Sequence, residues 1–411
     1  MTTTRKVVMA AAVLLLAPLG RAEQTSATSL QSLEHRLDDL QQQLEQRHDW
    51  SDRISVNGFI TYGMTRHNVH QNDVNGNPVT YLDRTTDQVS HNELSRAGLQ
   101  FNATINDRTK AVVQLLARGR DDYSVKAQWA YLDYALTPSL HVRGGRMVLP
   151  FFMHSQYDNV GYAYHWAALP DQTYDVVPFD TMDGMDLTWN FSTGPIAQRL
   201  NVYGAAMNVP SYSLPVPVTY KVSQMGGINL TSTWQDLSTW LSYSQADVSL
   251  DLDAIDPSVT LDKAGTSISS VGVQYDNGSL VMMAERTQLD MDGWFPTKWG
   301  GYVSVGYRFG KWMPHVTWGE ANSRGVNEAA QGGPYAQSFA AANMVRSKSW
   351  TFGVRHELAP GVDVKAEVQR YYDFNGDGIR TNGLFSNVLR LPGGINRDDP
   401  MVYRLTVDAA F

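Results

Sequence analysis

The chain contains no cysteine. That excludes a disulfide framework, a thiolate metal site, a cysteine nucleophile and a lipid-modified cysteine anchor. It also lacks a basic balance: 33 Lys and Arg against 41 Asp and Glu leave −8 over 411 residues. No nucleic-acid partner is therefore expected, because that affinity rests on neutralising phosphates. No apolar run after residue 22 is long enough for a transmembrane helix. G-x-S-x-G, H-E-x-x-H and P-loop motifs are absent, and His154 and His165 lack the i,i+4 spacing of a zinc helix. An enzyme is not expected. The one catalytic design left open is a hydrolase with Ser, His and an orienting group on the rim of a barrel.

Residues 1–22 read as a signal peptide. Arg5 and Lys6 precede the apolar run from Val7 to Leu19, and Gly20-Arg21-Ala22 offers small residues for cleavage. An exported chain without helical spans, but with 33 Gly, 11 Trp and 20 Tyr, is a soluble periplasmic protein, a secreted protein or an outer-membrane β-barrel. A barrel escapes hydropathy analysis because lipid-facing and lumen-facing residues alternate.

Residues 23–52 form a separate prefix. Leu30, Leu33, Leu37, Leu40 and Leu44 recur at spacings of three and four, an a/d seam of about two heptads. The prefix is either a short periplasmic coiled coil or a single amphipathic helix docked on a barrel mouth. From residue 53 the period changes to two. In the last segment Met401, Tyr403, Leu405, Val407, Ala409 and Phe411 share one face, and Arg404, Thr406 and Asp408 share the other. Alternating runs number sixteen: 53–66, 91–105, 108–119, 125–136, 139–148, 182–192, 199–208, 222–234, 237–250, 265–276, 279–289, 298–309, 311–320, 348–358, 362–372 and 401–411. Short turns such as Asn106-Asp107 and Asn277-Gly278 alternate with longer connections, among them 67–90, 149–181, 321–347 and 373–400. An even strand count with short turns on one side and long loops on the other predicts an all-β fold, a sixteen-stranded antiparallel transmembrane barrel over 53–411. Closure of the last strand on the first removes both sheet edges. Aromatics including Trp129, Tyr131, Trp189, Trp240, Tyr243, Tyr302, Trp312, Trp350 and Phe352 are candidates for two interface girdles.

Alternation also assigns the lumen face. Leu99, Phe101 and Ile105 point out, so Arg96 points in. Val113, Leu115 and Ala117 point out, so Arg118 points in. By the same rule Arg143, Arg308, Arg355 and Arg404 face the lumen. Arg146 breaks the alternation, and a bulge near Gly144-Gly145 would turn it inward. The connection 149–181 carries Asp158, Asp171, Asp175 and Asp180. Opposed rows of charge would orient dipolar solutes at a constriction; the bland alternative is ordinary lumen polarity. Asp373-Phe374-Asn375-Gly376-Asp377-Gly378 matches the first half of a calcium loop, with Asp373, Asn375 and Asp377 as oxygen ligands. The twelfth position is Leu384 rather than Glu, which also fits a tight polar turn. No other cofactor is expected.

Residues 140–152, LHVRGGRMVLPFF, and 158–164, DNVGYAY, resemble the passage from strand five into the third loop of sixteen-stranded Gram-negative porins. The Leu-heptad prefix is similar to that of dicarboxylate-type (DcaP-like) porins with an N-terminal coiled coil. The resemblance implies a homotrimer in the outer membrane, in contact with its lipid and lipopolysaccharide, with the prefix in the periplasm. It implies passive diffusion of small hydrophilic solutes past a basic wall that faces an acidic third loop. The arginines suggest a preference for anionic, carboxylate-bearing solutes. The competing reading is a substrate-selective uptake porin or receptor for one ligand such as a siderophore. Residues 23–52 are too few for the plug of a gated receptor.

Overall fold

The computed structural model describes residue 36 and residues 53–411 apart from 74–75, 83, 178, 212–217, 254, 325–332, 377–378, 382, 386–394 and 396–398. The chain divides into two units, Met1–Arg53 and Ile54–Phe411. The expected Leu-seam helix falls, except for residue 36, outside the described residues.

The second unit is a closed antiparallel barrel of sixteen strands. They are β1 (Ile54–His67), β2 (Arg96–Asn106), β3 (Thr109–Arg118), β4 (Val125–Thr137), β5 (Leu140–Val148), β6 (Thr181–Thr193), β7 (Ile196–Ser211), β8 (Val218–Trp234), β9 (Leu237–Leu250), β10 (Leu261–Asp276), β11 (Leu280–Met291), β12 (Thr297–Tyr307), β13 (Trp312–Arg324), β14 (Arg346–Ala359), β15 (Val362–Tyr372) and β16 (Met401–Ala410). Each strand pairs with its sequence neighbours, and β16 closes on β1 from Phe59↔Ala410 to His67↔Val402. Phe411 completes the seam: its N–H donates to the Gly58 carbonyl at 2.9 Å and its carbonyl accepts from the Gly58 N–H at 2.7 Å. Its ring lies over Gly58, where a Cβ would come within 2.5 Å of it. Closure satisfies the edge groups that an open sheet would leave unpaired.

Strand β2 begins at Arg96, five residues later than the alternation suggests. Ser95 Oγ donates to the His91 carbonyl at 2.5 Å, and Ser95 N–H to the Asn92 carbonyl at 3.2 Å. These local bonds draw residues 91–95 away from the ladder.

The outer face carries the expected apolar rows. Leu99, Phe101, Val113, Leu132, Leu187, Val303, Phe352, Leu405 and Val407 are exposed, as are the aromatics Trp189, Tyr243, Trp312 and Trp350. Four of the girdle candidates point inward instead. Trp129 sits opposite the buried Gln114 on the inner face. Tyr302 is buried, Tyr131 lies beneath the Arg143 guanidinium at 5.4 Å, and Trp240 donates to the Phe151 carbonyl at 3.4 Å.

Much of the inner face is not wet. Towards the long-loop end, Met207, Val222, Met225, Val248, Leu250, Leu261, Ile268, Leu289 and Met291 are buried in one apolar cluster. Phe151, Phe152, Leu252, Val259, Trp294 and Phe339 from the loops complete it. Phe339 belongs to helix α2 (Gly333–Asn343), and Trp294 packs edge-on against it. The loops therefore fold into the mouth over β5–β11 and pack against its inner face.

Candidate pore constriction

Residues 149–180 leave β5, cross the lumen and return to β6. The loop's polar backbone cannot stay unpaired inside the barrel, and wall side chains meet it all along its path. The Pro150 carbonyl accepts from Asn229 Nδ2 (3.2 Å) and Ser242 Oγ (3.3 Å). The Met153 N–H donates to Glu285 Oε1 (2.8 Å), and the Ala167 N–H to Glu367 Oε1 (2.9 Å). Lys365 Nζ donates to the Gly161 carbonyl (2.5 Å). Side chains of the loop bond the wall in turn: Tyr174 to Glu285 (2.8 Å), Trp166 to Thr317 (2.9 Å) and Gln172 to Ser349 (2.7 Å). Gln172 lies in the one-turn helix α1 (Asp171–Tyr174). The loop is thus bound to β8, β9, β11 and β13–β15, on the far side from β2 and β3.

Between the loop and β1–β3 a cavity of ≈ 210 Å³ remains. Arg96 and Arg118 are direct partners in the β2–β3 register and both project into it. Arg118 is salt-bridged to Asp180 and donates to Gln128 Oε1 at 3.2 Å. Arg96 donates to the Tyr164 hydroxyl at 2.5 Å. Arg404 of β16 reaches the cavity from the side and pairs with Asp171 at 2.7 Å. Asp158 and Asp175 line the loop side. Seven of the residues singled out in the sequence therefore meet here: Arg96, Arg118, Arg404, Asp158, Asp171, Asp175 and Asp180.

The others lie elsewhere. Arg143 faces the lumen but outside this cavity, and its Nε donates to both Asp186 oxygens at 2.9 and 3.1 Å. Arg146 does not turn inward. The β4–β5 register runs unbroken from Ala135↔His141 to Ala130↔Arg146, so parity keeps the side chain on the outer face. There it forms a two-point ion pair with Asp183, both bonds 2.7 Å, while Met147 and Met182 point in. Gly145 takes up the backbone strain alone, at φ +134 with its Cβ position 2.3 Å from the Ala130 carbonyl. Arg355 bonds Asp363 at 2.6 Å and stacks on Tyr162. Arg308 pairs with Asp276 at the short-turn end. Asp373 is held by Lys348 at 2.8 Å and Arg346 at 3.5 Å; Asn375 starts a two-residue hairpin strand, and Asp377 lies outside the described residues.

Alternation missed four residues of the cavity: Tyr81, Arg84 and Arg120 sit in loops and turns without a period, and Glu93, inside the expected run 91–105, precedes the strand that starts at Arg96. Tyr81 bonds Asp171 and Tyr371 with its hydroxyl, joining the first long loop to the constriction loop and to β15. Arg84 and Glu93 form a rim pair at 3.3 Å. Arg120 follows Arg118 by two residues, but in a 3-10 turn rather than a strand. In all, five arginines and five acids line the cavity.

Asp158 is half-buried. Burial and the Asp180 carboxylate raise its pKa to about 7, against the opposing pull of Arg118, Arg96 and Arg120. A carboxyl raised in this way is neutral below that pH and charged above it. The cavity therefore gains net positive charge as pH falls from 8 to 6. Anion over cation permeability, read from reversal potentials in a salt gradient, is expected to rise over that interval. Burial and the Asp171 carboxylate raise Asp175 of the same cavity to about 7 as well. Asp158→Asn should therefore make the profile shallower, and Asp158→Asn with Asp175→Asn should flatten it at its acidic level; an equally steep profile in the double variant would assign the titration to another group.

The model of the Gram-negative porin family matches residues 54–377. No curated protein matches by sequence. Among solved structures, the outer membrane channel DcaP of Acinetobacter baumannii superposes with a TM-score of 0.55 at 13% identity, over 87% of this chain and 97% of that one. An anion-selective porin from Comamonas acidovorans gives 0.54 at 13%, over 87% and 99%. The trimer form of OmpT of Vibrio cholerae gives 0.50 at 12%, over 87% and 99%. At such identities these likenesses speak for the fold.

Proposed function

This chain belongs to the Gram-negative porin family, and on that premise we propose that it is an outer-membrane porin that passes small hydrophilic solutes and favours anionic ones. The observation that carries this reading is the pair Arg96 and Arg118, side by side on β2 and β3, facing the carboxylates of loop 149–180 across a narrow cavity. Guanidinium offers paired donors to a carboxylate or phosphate and cannot shed its proton. Opposed charge rows would turn a dipolar solute along the transverse field.

The constriction favours selective uptake over general diffusion. The apolar cluster lines the mouth over β5–β11, and the cavity between the loop and β1–β3 is ≈ 210 Å³, small beside the water-filled channel of a wide porin. Saturable block of ion current by one solute would support selectivity, and flux graded only by solute size would count against it. The likeness to a trimeric neighbour supports a homotrimer. Strand β1 starts at the short-turn end, which supports a periplasmic position for the prefix. We read that prefix as the tether of the trimer.

Planar-bilayer reversal potentials test the anion preference. Arg118→Ala should lower anion over cation permeability several-fold at low salt. The difference should shrink near 1 M, where the screening length falls to about 3 Å. Arg143→Ala should leave the ratio close to wild type, since Asp186 already neutralises Arg143 away from the cavity. Equal effects from the two variants would move the selectivity filter out of this cavity.

A further inference from the structure

The five arginines of the cavity are not equivalent. Four are committed to protein partners: Arg96 to Tyr164, Arg118 to Asp180 and Gln128, Arg404 to Asp171 and Gln369, and Arg84 to Glu93. Arg120 has no hydrogen bond or ion pair among the described residues, and its side chain is exposed to the cavity. Of the charges around it, Arg118 and Arg84, of its own sign, act on it more strongly than the carboxylates of Asp180 and Asp175.

The backbone beneath Arg120 is held firmly. The turn Gly119–Asp121 ends on Asp122 in the left-handed region, and the Asp122 N–H donates to the Gly119 carbonyl. Gly119 N–H donates to the Ser95 carbonyl at 2.8 Å, and the Tyr123 N–H to the Arg118 carbonyl at 2.9 Å. Gly119 is packed so tightly that a Cβ there would stand 2.3 Å from the Asn92 carbonyl oxygen. A cation with like-charged neighbours on a rigid support stores unfavourable Coulomb energy, and an incoming anion relieves it. The four committed arginines can serve a solute only by giving up a protein bond.

We propose that Arg120 is the solute-anchoring and specificity-determining residue of the constriction. Its guanidinium takes the oxygen pair of a small organic carboxylate or phosphate, while the other four arginines hold the loops that shape the cavity. This rests on the anion-favouring reading above and names the residue that carries it.

The test uses the full-length protein in planar bilayers, with gluconate as anionic probe, sorbitol as its uncharged counterpart of similar size, and inorganic phosphate as a second anion. Current block and reversal potential are read for wild type, Arg120→Gln and Arg120→Lys. Heat-modifiable gel mobility confirms that each barrel is closed. Wild type should be blocked by gluconate and phosphate more strongly than by sorbitol. Arg120→Gln should raise the half-blocking gluconate and phosphate concentrations by about tenfold, the scale of a lost charge-assisted hydrogen bond. Arg120→Lys should restore the reversal potential but not the full block, since an ammonium lacks the paired donors. If wild type prefers the anions and Arg120→Gln keeps that preference, Arg120 is not the anchor, although the pore still favours anions. If wild type blocks equally with gluconate and sorbitol, both readings fall.

Discussion

Arg404→Ala is expected to unlatch the constriction loop. The Arg404 guanidinium is buried and holds four groups from three parts of the chain: Asp171 at 2.7 Å, Gln369 at 2.7 Å, Tyr81 at 3.3 Å and Glu367 at 3.8 Å. Removing it leaves the buried carboxylates of Asp171 and Glu367 without their cation. Breaking a buried pair on one side costs about 3–5 kcal/mol, because the remaining charge is uncompensated. The loop limb carrying Asp171, and the first long loop attached through Tyr81, should both loosen. Single-channel records should become noisy and more cation-selective, and the temperature of the heat-modifiable gel shift should fall. Combining Arg404→Ala with Asp171→Asn and Glu367→Gln removes the stranded charges and should recover most of the thermal stability while selectivity stays altered. Quiet, unshifted channels in the single variant would show that the latch does not hold the loop.

Gly300→Ala should narrow the pore from the other side. An added Cβ on β12 would lie 1.6 Å from the Gln172 carbonyl oxygen, a backbone atom that cannot rotate away. Gln172 also fills the space over Gly319, where its amide comes within 2.7 Å of the Cβ position. These two glycines form the seat into which α1 drops. The extra methyl should push α1 off the wall and towards the cavity, reducing conductance. Overpacking of this kind costs about 1–3 kcal/mol, so the thermal gel shift should fall too. Gly310→Ala is the comparison: its Cβ meets nothing within 4 Å, although its φ of +59 carries some strain of its own. Conductance equal to wild type in Gly300→Ala would mean that the loop re-seats without loss.

Strand number, order and facing were legible from period two alone. A strand in a barrel has one face towards lipid and one towards the interior, so Leu405 and Val407 could only alternate with Arg404, Thr406 and Asp408. The inward aim of Arg96, Arg118, Arg143, Arg355 and Arg404 follows from the same rule and needs no tertiary information. The rule also held at Arg146, where Gly145 invites a bulge and the register contains none.

What meets an inward side chain is a different matter, because it depends on where distant loops come to rest. The inner faces near the long-loop end carry Val248, Leu250, Leu289 and Met291. Local sequence does not distinguish a residue that faces water there from one covered by Trp294 or Phe339. The ion pairs of the constriction join positions 62 and 233 residues apart, Arg118 to Asp180 and Arg404 to Asp171. Tyr81, Arg84 and Arg120 lie in loops and turns, where no periodicity fixes a direction. The sequence by itself determined the barrel and which face each strand residue takes, since steric alternation is local. Only the tertiary structure decided that loop 149–180 and the first long loop close on Arg96, Arg118 and Arg120, because burying a loop's backbone requires partners that strands far along the chain supply.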